Sequence, residues 1–293
     1  MKRTAVIFSY DDGLLLVSSL RSTLLSGVDR IVLLYGGKCP YEWIDGISDP
    51  RLIKIRENSR KGKVQALLSA MESIDGDIVF LISGDSSFDP SLFDLCTLNM
   101  DDGVGVIIVK QKPINHKNFI EKIGAMLIDI HNFQLSFLSK KGLSGHNGDF
   151  MCVRRSLMLN LPEVVNEDSY ICLKAIKSGY SVRFLEDAAV SILVPSNFMD
   201  LYQQRRRINY GHYQISRMGQ NSMSLDSLAF NNLPLFIEIL VSYLKVKRLR
   251  RLNLAVISAA VFIELLATIS SRIDILVGKD HRKWIIVKRE ASS

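Results

Sequence analysis

The 293-residue sequence is poor in cysteine, and the few it has are not arranged to build a site. Cys39, Cys96, Cys152 and Cys172 lie far apart with no CxxC pair, which excludes a zinc centre of closely spaced thiols. No secretory leader is legible before them, because the apolar stretch 5–8 is too short for a leader core. Reduced thiols and a cytosolic side are therefore expected. Internal repeats and low-complexity runs are absent, and no segment interleaves basic residues with aromatics, which removes nucleic acid as an expected partner despite a net charge of +7. The GxxxxGK spacing of a P-loop is missing as well. What is abundant is apolar side chain, 47% of residues, enough to bury the core of one large domain or of one domain with an appendage.

That apolar material is arranged as short runs alternating with helical spacing. Stretches 5–8, 30–34, 52–55, 78–82, 104–109, 149–153, 182–185 and 189–194 read as strands. Between and after them, 14–25, 64–74, 91–96, 119–138, 169–177 and 198–218 read as helices, so an α/β fold with a mostly parallel sheet is expected. The organising stretch is 78–90, five apolar residues followed by Ser83-Gly84-Asp85. In an open α/β sheet the carboxyl ends of the strands form the crevice where ligands sit, and Asp85 belongs there. A carboxylate at that point suits a hard divalent cation held against a diphosphate, or simply a turn.

Other polar turns carry similar alternatives. The basic, glycine-containing turn 58–63 opens a helix, a place where free N–H groups and the helix dipole favour an anion, with a solvated loop as the plain alternative. The glycine-rich stretch 142–148 suits a flexible substrate-binding loop. Glu167 and Asp168 stand at a helix start, where they either complement the dipole or supply a general base. His131 reads as a structural histidine in its helix. Consecutive Arg205, Arg206 and Arg207 fan around helix 198–218, so at least one must point inward, toward a carboxylate or phosphate; Tyr210 and His212 follow.

Beyond residue 220 the character changes. The apolar run 233–244 is too short to span a bilayer, a basic block follows at 245–251, and 254–269 is apolar except for Ser258, Glu264 and Thr268. Glu264 would cost about 2–3 kcal/mol in a bilayer centre unless paired. Basic residues on both flanks, including 279–289, favour an interfacial arrangement on an anionic membrane face over a single crossing. Residues 1–218 are thus expected to form the α/β domain and 219–293 a membrane-associated helical region.

In order, these segments resemble the family 2 glycosyltransferases of GT-A fold, a Rossmann-like sheet flanked by helices, and in particular the membrane-associated branch with cellulose and hyaluronan synthase-like enzymes. Ser9-Tyr10-Asp11-Asp12 resembles the first-strand turn that meets the nucleotide, and Gly62-Lys63 with Ala66-Leu67 the GK…AL segment. Gly84-Asp85-Ser86 with Asp89-Pro90 resembles the end of the DxD motif, Glu167-Asp168 the ED motif, and Gln204-Arg205-Arg206-Arg207-Ile208 the QxxRW motif. The resemblance implies a nucleotide diphosphate sugar as donor, bound by Tyr10, Asp12, Lys63, Asp85 and Arg206. It also implies Mn²⁺ or Mg²⁺ on Asp85, and catalytic roles for Asp168 as base with Glu167, Gln204 and Arg207. An inverting transfer to a lipid-linked or membrane-proximal hydroxyl, at the cytoplasmic face of a membrane, is the corresponding expectation. The sequence also departs from the family pattern. Ser83 replaces the first acid of DxD, leaving the metal one carboxylate fewer unless His212 or Asp168 contributes. Tyr35-Gly36 stands where the family has an Asp pair that reads base and ribose, and Ile208 replaces the Trp of QxxRW. These changes point away from a processive synthase and toward a transferase making one linkage. They also leave open a non-catalytic membrane-associated nucleotide-sugar-binding protein of the same fold.

Overall fold

The computed structural model describes residues 1–143, 145–247 and 253–282. Part of the expected loop at 142–148 (residue 144) and parts of the two basic stretches (248–251 and 283–289) lie outside the described residues.

The chain runs β1 (Arg3–Tyr10), α1 (Leu16–Leu24), β2 (Arg30–Gly36), α2 (Glu42–Asp45), β3 (Leu52–Glu57), α3 (Lys63–Ser69), β4 (Ile78–Ser83) and α4 (Leu92–Leu98). It continues through β5 (Val104–Pro113), α5 (Phe119–Lys140), β6 (Phe150–Arg154), α6 (Glu167–Lys177), β7 (Ser181–Ile192) and α7 (Phe198–Arg217), and then α8 (Leu225–Asn231), α9 (Leu233–Lys247) and α10 (Leu254–Leu276). The seven strands form one sheet in the order β3-β2-β1-β4-β6-β5-β7. Only β6 runs antiparallel to its neighbours, so the sheet is mostly parallel as expected. The order steps outward from β1 to β3 and returns to place β4 on the other side of β1. Their carboxyl ends therefore flank a topological switch point, the crevice of an open α/β sheet.

Alternation along the buried strands sends side chains to two separate cores. Ile7, Leu33, Phe80, Ile82 and Phe150 pack with α1 and α4 on one face. On the other, Val6, Val32, Val79, Leu81 and Val153 pack with Leu67 of α3 and Ile171 of α6. Phe80 and Phe93 meet edge to face at 4.7 Å, which locks α4 beneath β4. Asn118 starts α5 with a capping box: its side chain accepts from Glu121 N–H at 2.8 Å, and Glu121 accepts from Asn118 N–H at 3.1 Å.

Three elements differ from the sequence expectation. The helix expected to reach residue 74 ends at Ser69 and tightens into a 3₁₀ turn at Met71–Ser73. The two strands expected at 182–185 and 189–194 are one, because β7 absorbs residues 186–188 as a register shift opposite Val109 and Lys110. The apolar helix expected at 254–269 continues to Leu276, since its second acid is satisfied within the fold: Asp274, 2% exposed, pairs with Arg206 and accepts from His281 Nε2 at 2.7 Å. Glu264 likewise pairs with Arg205. Both ion pairs bind α10 along α7. Breaking a buried pair leaves its partner's charge uncompensated, so Asp274→Ala should cost about 3–5 kcal/mol in urea unfolding. A loss below about 1 kcal/mol would put this pair in the class of exposed salt bridges.

Candidate active site

At the switch point the first turn and the end of β4 are in direct contact. Gly84 N–H donates to Phe8 carbonyl at 2.7 Å, and a Cβ at position 84 would lie 2.8 Å from Asp12 Oδ2, so the Asp12 carboxylate rests against the residue before Asp85. The Ser83–Ser86 turn is held from below by the start of β6: Ser83 N–H donates to Asp149 carbonyl at 2.9 Å. Tyr10 lies alongside, its ring 4.7 Å beneath the Arg60 guanidinium. Burial lowers the Arg60 pKa, against the opposing pull of Asp12, Tyr10, Asp11 and Glu57.

Lys63 draws the remaining groups together. Its ammonium lies 2.7 Å from Glu167 Oε1, donates to Gly148 carbonyl at 3.2 Å and sits 5.0 Å over the Phe8 ring. Asp168 flanks the same glycine, since a Cβ at Gly148 would fall 3.0 Å from its Oδ2. Among the described residues, the Asp168 carboxylate accepts no hydrogen bond, whereas Glu167, 4% exposed, is committed to Lys63. Arg207 is buried beside this pair; burial lowers its pKa to about 10, with Glu167 and Asp168 opposing. Gln204 stands one turn before Arg207 on α7 and shares its side of the helix.

Two expected participants lie elsewhere. Arg206 is paired with Asp274 and thus faces α10 rather than a donor. His212 has both ring nitrogens engaged, Nδ1 with Asp226 Oδ1 at 2.9 Å and Nε2 with His146 Nε2 at 3.0 Å, so neither remains for a metal beside Asp85. The Asp226 carboxylate accepts from His212 Nδ1, and the other ring nitrogen of His212 meets His146 across the pair. Burial holds the His146 and His131 pKa values at about 3, so both are neutral, and His131 is structural as expected, its Nε2 donating to His146 carbonyl at 3.0 Å.

Asp149 was not singled out in the sequence. Strand β6 runs antiparallel, so its first residues rather than its last arrive at the crevice, and the run Asn147-Gly148-Asp149 before Phe150 was the only signal. Its carboxylate accepts from Gln111. No group of three or more His, Cys, Asp or Glu side chains among the described residues converges to hold a metal by itself. Asp85 and Asp12 offer oxygen ligands only, which fits Mg²⁺ or Mn²⁺, ions that keep waters and take further oxygens from a bound diphosphate.

The fold is that of a GT-A glycosyltransferase. A sequence profile described as Glycosyl transferase family group 2 matches residues 78–276, more than half of the chain, and the chain belongs to that family. An N-acetylglucosaminyltransferase of Neorhizobium galegae is 25% identical over 217 residues, an alignment covering 65% of this chain and 49% of that protein. The chain thus matches about half the length of this relative. Among solved structures, a mannosyltransferase from Pyrobaculum calidifontis in complex with GDP-Man and Mn²⁺ is similar with a TM-score of 0.65 at 14% identity, covering 95% of this chain and 88% of that one. Glucosyl-3-phosphoglycerate synthase from Mycobacterium tuberculosis is similar with a TM-score of 0.50 at 18% identity, covering 74% and 80%.

Burial raises the Asp149 carboxyl above its ordinary value; Gln111 and Lys63 oppose this, while Asp168 and Glu167 reinforce it. Its contribution to stability is therefore fully present below the ordinary carboxylate pKa and is lost as pH rises through the raised one. Asp149→Asn keeps an acceptor for Gln111 and removes the charge. In thermal melts the variant should exceed the wild type at pH 7, with the difference closing toward pH 3; a constant difference across that range would refute the assignment.

Proposed function

We propose that the protein transfers a sugar from a nucleotide diphosphate sugar to a hydroxyl acceptor with inversion, assisted by a divalent cation. The observation that carries this reading is the division of labour in the acidic pair at the start of α6. Glu167 is spent on Lys63, while Asp168, held against Gly148 one residue away, keeps its oxygens for a proton. Asp168 takes the acceptor's proton as the hydroxyl oxygen attacks the anomeric carbon, the bond to the diphosphate oxygen breaks, and the leaving nucleotide carries away the electron pair. A single displacement needs one base and no covalent intermediate. Lys63 and Arg207 supply fixed positive charge where the leaving group becomes more negative, and Gln204 lines the same side of α7. The cation, held by Asp85 with Asp12 nearby, would add charge neutralisation at the diphosphate.

Support for a membrane-proximal acceptor comes from the last helices. Ile237 and Val241 of α9 and Val261, Phe262, Leu265 and Ile269 of α10 are each more than two fifths exposed. Only 28% of the most apolar window of α10 is buried. The opposite side of α10 carries the acids paired to α7, an arrangement suited to a helix lying in the interface. On this reading residues 1–218 perform transfer and 219–293 dock the enzyme on the cytoplasmic face of an anionic membrane; all four cysteines are free thiols, in keeping with that side.

Asp168→Asn should lower turnover by about 10²–10⁴-fold while nucleotide binding persists. Asp85→Ala should weaken nucleotide binding only when Mn²⁺ is present. Retained turnover in Asp168→Asn would exclude it as the base. Separately, Phe262→Asp with Leu265→Asp should abolish co-sedimentation with anionic vesicles, and wild-type protein that ignores such vesicles would refute the docking surface.

A further inference from the structure

The carboxyl ends of β1, β2 and β3 stop at one level, where Tyr10, Gly36 and Glu57 are register partners across three neighbouring strands. Partners in a parallel ladder point to the same side of the sheet, so Tyr10 and Glu57 flank a position that has no side chain. The gap is enforced: a Cβ at Gly36 would lie 2.8 Å from Glu57 carbonyl and 3.1 Å from both Glu57 Cβ and Tyr10 Cε2. The Arg60 guanidinium stacks on Tyr10 and interacts with Glu57 through charge. Glu57 itself is half-buried, and its carboxylate accepts no hydrogen bond among the described residues. A partly desolvated carboxylate with unused acceptor capacity is costly unless a ligand uses it. Burial also raises its pKa, opposed by Arg60 and Lys61.

We infer that Glu57 reads the base of the donor nucleotide and selects guanine. The inference rests on the donor reading above and adds the identity of the base. The floor at Gly36 beside the Tyr10 ring accommodates a flat heterocycle. Two adjacent donors on one edge, which a carboxylate accepts together, are found only on guanine, as N1–H and the N2 amino group. Uracil offers a single N3–H between two carbonyl oxygens that a carboxylate repels. Adenine and cytosine each present a ring-nitrogen acceptor at the corresponding place. Arg60 completes the match as a donor for guanine O6, the type of pairing by which arginine recognises this base elsewhere.

Calorimetric titration of the full chain with GDP, IDP, UDP and ADP, each with Mn²⁺, tests the assignment. IDP is the informative ligand, since it differs from GDP only in lacking the N2 amino group. GDP should bind roughly tenfold or more tightly than IDP, the worth of one charge-assisted hydrogen bond, and more tightly still than UDP or ADP. Glu57→Gln should bring GDP close to the IDP affinity and leave UDP unchanged. The wild-type ranking stands without the variant, so a folding defect in Glu57→Gln does not decide the outcome. Equal binding of GDP and IDP, or a preference for UDP or ADP, overturns the guanine assignment alone. So does a Glu57→Gln variant that weakens every diphosphate equally, which would make Glu57 only the counter-charge of Arg60. Failure of all four diphosphates to bind overturns the donor reading and the guanine assignment with it.

Discussion

The arrangement at the crevice depends on one ammonium group. Lys63 opens α3, packs on the Phe8 ring at the end of β1, reaches Gly148 before β6 and closes an ion pair with Glu167 at the start of α6. Four segments far apart in sequence are thereby fixed around one charge that is 11% exposed, in surroundings where removing either partner strands the other. The pair also explains why two adjacent acids can differ in use. Glu167 faces the Lys63 ammonium, and its neighbour Asp168, turned about 100° around the helix, is directed to a different side.

The same angular logic governs the three arginines of α7. Successive residues on a helix point about 100° apart, so Arg205, Arg206 and Arg207 address three directions. Arg205 takes Glu264, Arg206 takes Asp274, and Arg207 turns toward Glu167 and Asp168. One helix therefore touches the acidic pair on one side and carries α10 on another. Each guanidinium is matched to carboxylates, the condition under which such a side chain tolerates burial.

Much of the fold was legible because parallel strands buried on both faces are unbroken apolar runs, as in 30–34 and 78–82. The positions of Tyr10, Asp12, Lys63, Asp85, Glu167 and Asp168 follow from local pattern for a related reason: each ends or follows a strand or opens a helix, and the topology gathers such positions at one edge, whereas Arg207 reaches them from the middle of α7. What stayed hidden depended on pairing rather than on local pattern. The reversed direction of β6 brings Asp149 to the crevice, and nothing within the sequence of that strand announces its direction. Glu57 and Tyr10 become neighbours only through the register of three strands. The expectation for His212 failed similarly, because its partners His146 and Asp226 come from segments on either side of it in the chain.

The last apolar helix shows how hydropathy and fold can disagree. By composition Leu254–Leu276 is long and apolar enough to cross a bilayer, with a mean hydropathy of 2.0 in its best window. Its acids are nevertheless placed so that the helix is served better by α7 than by lipid. Glu264 and Asp274 lie about 15 Å apart along the axis. Arg205 and Arg206 meet them from a single neighbouring helix, so the paired side of α10 follows α7. A crossing would carry both pairs, with the part of α7 that supplies them, into hydrocarbon, where charged groups are tolerated only at cost. Packing along α7 keeps the ion pairs on the protein side and leaves Val261, Phe262, Leu265 and Ile269 facing outward, so the contacts that hold α10 to the fold also determine which of its apolar side chains stay exposed.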